Sequence, residues 1–443
     1  MQSEFLPCIV VNMPETTPQP LERPTGDALD SLDALPFGER RAQARFSIHP
    51  SRRKWVLLVL TLIMFSTTLD FMVLMPLGPT LMNLFRISAK EFSFLVSIYS
   101  LTAGVFGLIG SLFFDRVGRK VSLVSSYFGF LLGTLFCAFA PSFSVLLIAR
   151  AVAGAFGGLL SGICYAIIGD LFPISERGLA TGKLLTAYSL ASIIGVPSGL
   201  YLSSHIGWHA TFGAIVVLGT FAMILALQVV PNGRWNMNLD PKGFFSGITQ
   251  NFSDPNARNA LWTTLLMVHS QFVVIPFISA YLVSNTGFPV IHLPHIYLLG
   301  GITTVVSGIG MGKLVDRYGA RPTFTKTGLL FLIPVFWITH LGHSTLFITL
   351  TLTTAIFVLS NFRSVPAVTL ISSSIPSNRR GSFMSLNTCV HQLGAASGTF
   401  LAGSVISSEA PAGPMEGFST TAYLSITFGV LAYVQGRRIR MIC

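Results

Sequence analysis

One short charged stretch occurs twice in this chain, and its recurrence limits the possible folds more than any other feature. Ser111-Leu-Phe-Phe-Asp115-Arg116-Val-Gly118-Arg119-Lys120 is answered by Gly312-Lys-Leu314-Val-Asp316-Arg317-Tyr-Gly319-Ala-Arg321. Asp115 and Asp316, Arg116 and Arg317, and Gly118 and Gly319 each stand 201 positions apart. A second pair, Pro173-Ile-Ser-Glu-Arg177-Gly178 and Pro376-Ser-Asn-Arg-Arg380-Gly381, repeats at an offset of 203. Every copy is a short loop between long apolar runs. Two matched pairs at nearly one offset read as a duplicated membrane domain.

The apolar runs recur along the chain at about 20 residues each, enough to cross the hydrocarbon of a bilayer as helix. Only 10% of the residues are charged and 51% are hydrophobic, too few charges to cover a soluble protein of 443 residues. Backbone in lipid must bond to itself, so the runs are helices, and they lack the alternation of barrel strands. The spacing predicts an all-α membrane protein with twelve transmembrane helices. They span about 55–77, 92–114, 121–140, 144–168, 179–203 and 211–230, then 261–283, 296–315, 325–340, 346–373, 382–406 and 420–434. Residues 1–53, polar and irregular with Pro14, Pro18, Pro20, Pro24 and Pro36, read as a disordered tail without the apolar core of a signal peptide. The expected domains are that tail, a six-helix bundle over 54–230, a polar linker over 231–260, a second bundle over 261–436 and a basic tail over 437–443.

The net charge of +11 is not read as a nucleic-acid footprint. With twelve spans both termini share one side, and nearly all loop Lys and Arg fall there, whereas the other side has Arg86 and Lys90. The positive-inside rule then places termini and linker in the cytoplasm of a plasma (inner) membrane. Cys8, Cys137, Cys164, Cys389 and Cys443 show no metal-ligand spacing, and no metal or cofactor is expected.

The repeated loop resembles the signature G-x-L-x-D-R-x-G-R-K of the major facilitator superfamily. Asp115, Arg116, Gly118, Arg119 and Lys120 match it, with Ser111 at the opening glycine. Arg150-Ala-Val-Ala-Gly154 is similar to the family's R-x-x-Q-G element, with Ala153 in place of Gln. Gly195-Val-Pro197-Ser-Gly199 resembles the glycine-proline element of antiporters, and Gly207-Trp208-His-Ala-Thr-Phe212 the entry to helix 6. Gly381-Ser-Phe-Met-Ser-Leu-Asn387 is similar to the start of helix 11 in arabinose-efflux-like and drug:proton antiporter members. The likeness covers about residues 50–440. It implies two pseudo-symmetric six-helix bundles, the major facilitator fold, around a solute site that faces each side of the membrane in turn.

Physical chemistry then sorts the polar groups. Asp115 ends helix 2, where a carboxylate can face the positive N-terminus of helix 11 near Ser382 and pair with Arg119. Asp316 can do the same near Gly178. Asp115, Arg116, Gly118, Arg119, Asp316, Arg317 and Gly319 are therefore expected to gate one side, or else to satisfy helix ends only. Asp70 lies inside helix 1, where a carboxylate is costly and marks a cavity, a partner or a proton path. Its depth suits Arg150 in helix 4, giving either a proton-coupling pair or a permanent structural one. Arg363 in helix 10 aligns with Leu160 rather than Arg150. It either binds an anionic or strongly polar group, with Asn361 beside it, or pairs with backbone carbonyls or Asp70. His269, Gln271 and His391 are polar within apolar runs, and in the superfamily helices 1, 4, 7 and 10 line the cavity, which favours His269. Gly195, Pro197 and Gly199 permit close packing and a bend.

No Walker loop, H-E-x-x-H or nucleophile elbow is present, so the chain reads as a transporter and not an enzyme. The expectation is proton-coupled efflux of a small organic solute such as a sugar or drug, by a monomer whose partners are solute, protons and lipid bilayer. Uptake by symport or facilitation, and a sensor without transport, are the rivals.

Overall fold

The computed structural model describes residues 50–114, 118–232, 248–376, 379–408 and 413–441. The expected tail up to 49, Asp115, Arg116 and most of the expected linker lie outside the described residues. Helices 1 to 6 run Arg52–Val73, Ala89–Gly110, Arg119–Ala138, Phe143–Leu171, Glu176–His205 and Trp208–Val229. Helices 7 to 10 run Pro255–Thr286, Val290–Tyr318, Ala320–Thr339 and Leu346–Ser372. These ten are long and apolar enough to cross a membrane. Helices 11 and 12, Arg380–Val405 and Phe418–Gly436, complete the twelve. They are less apolar, helix 11 because it carries Asn387, His391 and Gln392.

Departures from the expected bounds have local causes. Helix 1 stops at Val73 and not near Leu77, because Pro76 has no N–H to give; after a turn a short helix, Gly78–Phe85, continues the path. Helix 5 widens into a π turn over Ala191–Gly195 just ahead of Pro197. Helix 9 begins at Ala320, earlier than expected, and is interrupted between Thr327 and Leu332.

Hydrogen bonds place the chain ends on one face. Arg52 Nε donates to the Val229 carbonyl at the end of helix 6. Asn256, opening helix 7, donates to the carbonyls of Ser374 and Arg440 at the ends of helices 10 and 12. We call this the terminal face. The repeated loops are alike in detail. Gly118 (φ 97°, ψ 142°) and Gly319 (φ 84°, ψ 153°) take the same glycine-only backbone before helices 3 and 9. The last cation of each loop then caps a helix end: Lys120 Nζ to the Leu227 carbonyl at 2.5 Å, and Arg321 Nη2 to the Arg437 carbonyl at 2.8 Å. A cation at a helix C-terminus meets both free carbonyls and the negative end of the dipole.

The halves meet toward the far face. One apolar core there draws Leu74, Leu81 and Phe92 from the first half together with Phe277, Tyr281 and Phe418 from the second. Small residues let helices 2 and 11 touch. A Cβ on Gly403 would lie 2.3 Å from Ser93, and Ser97 Oγ donates to the Ala396 carbonyl at 2.9 Å. Helices 5 and 8 meet where a Cβ on Gly301 would lie 2.9 Å from the Ile193 nitrogen. Toward the terminal face the second half has a core of its own, built around Phe324, Leu370 and Phe383. There a Cβ added at Gly178, Gly182, Gly312 or Gly381 would meet nothing within 4 Å among the described residues. Among the described residues, the contacts between the halves gather toward the far face.

Candidate functional site

Asp70 and Arg150 come together as their depths require. Both are fully buried, and Arg150 Nη1 lies 2.6 Å from Asp70 Oδ2 and 3.3 Å from its carbonyl oxygen. Thr134 of helix 3 donates to Asp70 Oδ1 at 3.4 Å, so helices 1, 3 and 4 converge on one carboxylate. The guanidinium also lies 4.3 Å from the centre of the Tyr99 ring of helix 2, a cation–π contact of the kind that gains when water is excluded. The ion pair uses one nitrogen only. Among the described residues, Arg150 Nε and Nη2 have no nitrogen or oxygen hydrogen-bond partner. A single charged bond lacks the rigidity of a two-pronged fork, and a proton on the carboxylate would remove its charge.

The second half holds its own buried arginine in a different setting. Arg363, 2% exposed, donates from Nη1 to Ser270 Oγ at 3.0 Å and from Nη2 to the Met267 carbonyl at 3.2 Å. Its guanidinium lies 4.1 Å from the Phe331 ring centre, and among the described residues Nε has no hydrogen-bond partner. Of its expected contacts it makes the backbone-carbonyl one and does not reach Asp70. Asn361 donates to the Thr304 carbonyl and to Ser307 Oγ, tying helix 10 to helix 8. His269 bonds the Leu265 carbonyl through Nδ1 and Ser397 Oγ through Nε2. Gln271 is half-buried, and His391 is exposed beside the Phe272 ring, edge-on with centres 6.4 Å apart. Phe272 in turn faces Phe71, which faces Tyr99. A run of rings thus leads from the buried pair across to His391.

Among the gating candidates, Arg119 bonds Asp170 at the end of helix 4, Nε to Oδ2 at 2.9 Å. Asp316 and Arg317 are exposed at the end of helix 8, with Arg317 over its neighbour Tyr318. The expected contact of Asp316 near Gly178 is not made in this state. Gly195 and Gly199 are packing positions: added Cβ atoms would meet Leu69 at 2.8 Å, and Thr211 at 2.9 Å with Val73 at 3.0 Å. Pro197 opens the segment Val196–His205 that follows the π turn.

Sequence reasoning missed Thr134, Tyr99 and Asp170. Asp170 carried a usable signal, since it is an acid closing an apolar run. Thr134 and Tyr99 carried none, because common residues at apolar positions do not announce which way their helix is turned.

Comparison with known proteins agrees with this architecture. Residues 60–399 match the model of the Major Facilitator Superfamily. An uncharacterized MFS-type transporter of Bacillus subtilis, YceJ, is 24% identical over 85% of this chain and 96% of its own. The multidrug efflux pump LfrA of Mycolicibacterium smegmatis is 26% identical over 80% of this chain and 81% of its own. Among solved structures, that of a D-xylose-proton symporter superposes with a TM-score of 0.70 at 16% identity, covering 87% of this chain and 97% of that one. With most of its length matched and twelve helices in two bundles, the chain belongs to the Major Facilitator Superfamily.

Proposed function

We propose that the protein expels a small organic solute, such as a sugar or a drug, in exchange for protons, through alternating access of a site between its halves. That it is a secondary active membrane transporter and not an enzyme follows from its family. The coupling and the direction are our reading, and the buried Asp70–Arg150 pair carries it. A carboxylate and a guanidinium fully inside a membrane helix bundle are costly unless they pair or serve a proton path. Protonating Asp70 cancels the attraction to Arg150 and frees a cation that already has two nitrogens without a nitrogen or oxygen partner among the described residues. Likeness to a multidrug efflux pump supports export.

In this reading His391, Gln271 and His269 contact solute. Arg363 and Asn361 join only once their present bonds within the second half are exchanged. The charged loops around Gly118 and Gly319 close the terminal side in the opposite state. The basic residues of the terminal face support placing it, with both termini, in the cytoplasm, and the working unit is a monomer of two bundles over 54–230 and 261–436.

The test is flux in proteoliposomes under an imposed pH gradient, with a panel of sugars, organic acids and cationic drugs. Efflux predicts a compound that discharges the gradient while moving against the protons. Movement along with the protons would make the protein a symporter, and movement without them a facilitator.

A further inference from the structure

We propose that the flank between helices 3 and 6 is a binding site for one anionic phospholipid, with an acyl chain in an apolar groove and the phosphate at Lys120. The groove has a volume of about 580 Å³ and is lined by Val121, Val124, Phe128, Met223, Ile224 and Leu227 among others. Its side chains face outward, Val121 53%, Phe128 57% and Ile224 50% exposed. Helices 3 and 6 pack on helices 4 and 1 of their own half, so this flank is separate from the space between the halves. In a bilayer, what meets it is lipid.

The groove has a polar end and an apolar end. Lys120 and Asn232 border it at the terminal face. From Lys120 to Phe128 helix 3 climbs about 12 Å, from the headgroup level into the hydrocarbon. Lys120 donates one bond, to the Leu227 carbonyl. An ammonium has three donors, so two remain for a phosphate oxygen. Among the described residues no carboxylate neutralises Lys120, nor Arg52 on the other flank of the helix 6 end. The second half reuses the same cap, since Arg321 on the Arg437 carbonyl mirrors Lys120 on that of Leu227. The cap is therefore a property of the fold. The groove beside the first copy is what turns it toward a ligand. A cation at the surface favours an anionic lipid by about 1 kcal/mol, or about fivefold.

The test is native mass spectrometry of the purified full chain mixed with equal amounts of phosphatidylglycerol and phosphatidylcholine of identical acyl chains. Wild type should retain one phosphatidylglycerol about fivefold over phosphatidylcholine. Lys120→Gln should lose the preference while still holding a lipid, and Val124→Trp, which fills the groove but keeps the cation, should lose the lipid itself. Equal retention of both lipids by wild type, or undiminished retention by Val124→Trp, would overturn the proposal. Lys120→Gln also removes the charged cap of helix 6, so Val124→Trp is read independently.

Discussion

The two halves of this transporter are copies in backbone and differ in the charge they bury. Ser66 bonds the Tyr127 hydroxyl at 2.8 Å in the first half. Each position recurs 204 residues later as Ser270 and Phe331, and there the two residues flank Arg363. Leu160, 203 residues before Arg363, is apolar. The first half keeps its guanidinium nearer the far face, at Arg150, and gives it an acid. The second half keeps its guanidinium deeper and gives it only neutral acceptors and a ring. Duplication fixed the scaffold, and the charges diverged on it. A cation that faces a carboxylate can respond to a proton, whereas one held by a hydroxyl, a carbonyl and a ring has nothing in its bonds that titrates near neutral pH.

The largest expected effect comes from breaking the acidic half. Asp70→Ala leaves Arg150 buried without its counter-charge and should cost about 3–5 kcal/mol of stability, read as a large drop in thermal unfolding temperature in detergent. Loss of less than 1 kcal/mol would mean that the pair is not desolvated as found. Next come the glycines that make the halves alike. Gly118→Ala and Gly319→Ala each force a side chain into backbone that suits only glycine, at about 1–3 kcal/mol. The two should cost the same, and a large difference between them would show that the loops are not equivalent.

Smaller effects sharpen the contrast. Tyr127→Phe makes the first half resemble the second at this level. It should cost about 1 kcal/mol for the bond to Ser66, since Ser66 keeps its bond to the Ile63 carbonyl. Smallest of all, Arg363→Met replaces a buried cation that has no acid by a flexible apolar side chain. Its effect on unfolding should lie within about 1 kcal/mol of zero, in either direction. A loss as great as that of Asp70→Ala would end the distinction between the halves.

Much of this was legible in the sequence. The twelve helices, the duplicated loops and the Asp70–Arg150 pair follow from apolar run length, a repeat offset and depth counting. The alignment of Arg363 with Leu160, at an offset of 203, falls within one residue of the 204-residue relation between Ser66–Tyr127 and Ser270–Phe331. What the sequence did not carry was rotation. A helix that is apolar all round has no face marked for the core. Hence Tyr99 beneath Arg150, Thr134 on Asp70 and the turn of Arg363 toward Ser270 emerge only when the helices are packed. The bond of Arg119 to Asp170 was not foreseen for a related reason. Asp115, its expected neighbour, lies outside the described residues, whereas Asp170, which it bonds, is 51 residues away on the end of helix 4.

The central claim is that coupling resides in the acidic half, and one comparison of fluxes tests it most directly. Wild type and Asp70→Asn would be reconstituted side by side, with solute exchange and internal pH followed in the same vesicles. Asparagine keeps the size of the side chain and an oxygen for Arg150 but can take up no proton. The account predicts that Asp70→Asn still exchanges solute for solute while solute no longer drives proton movement. If Asp70→Asn discharges the pH gradient as wild type does, the buried pair is a structural tie and the coupling lies elsewhere.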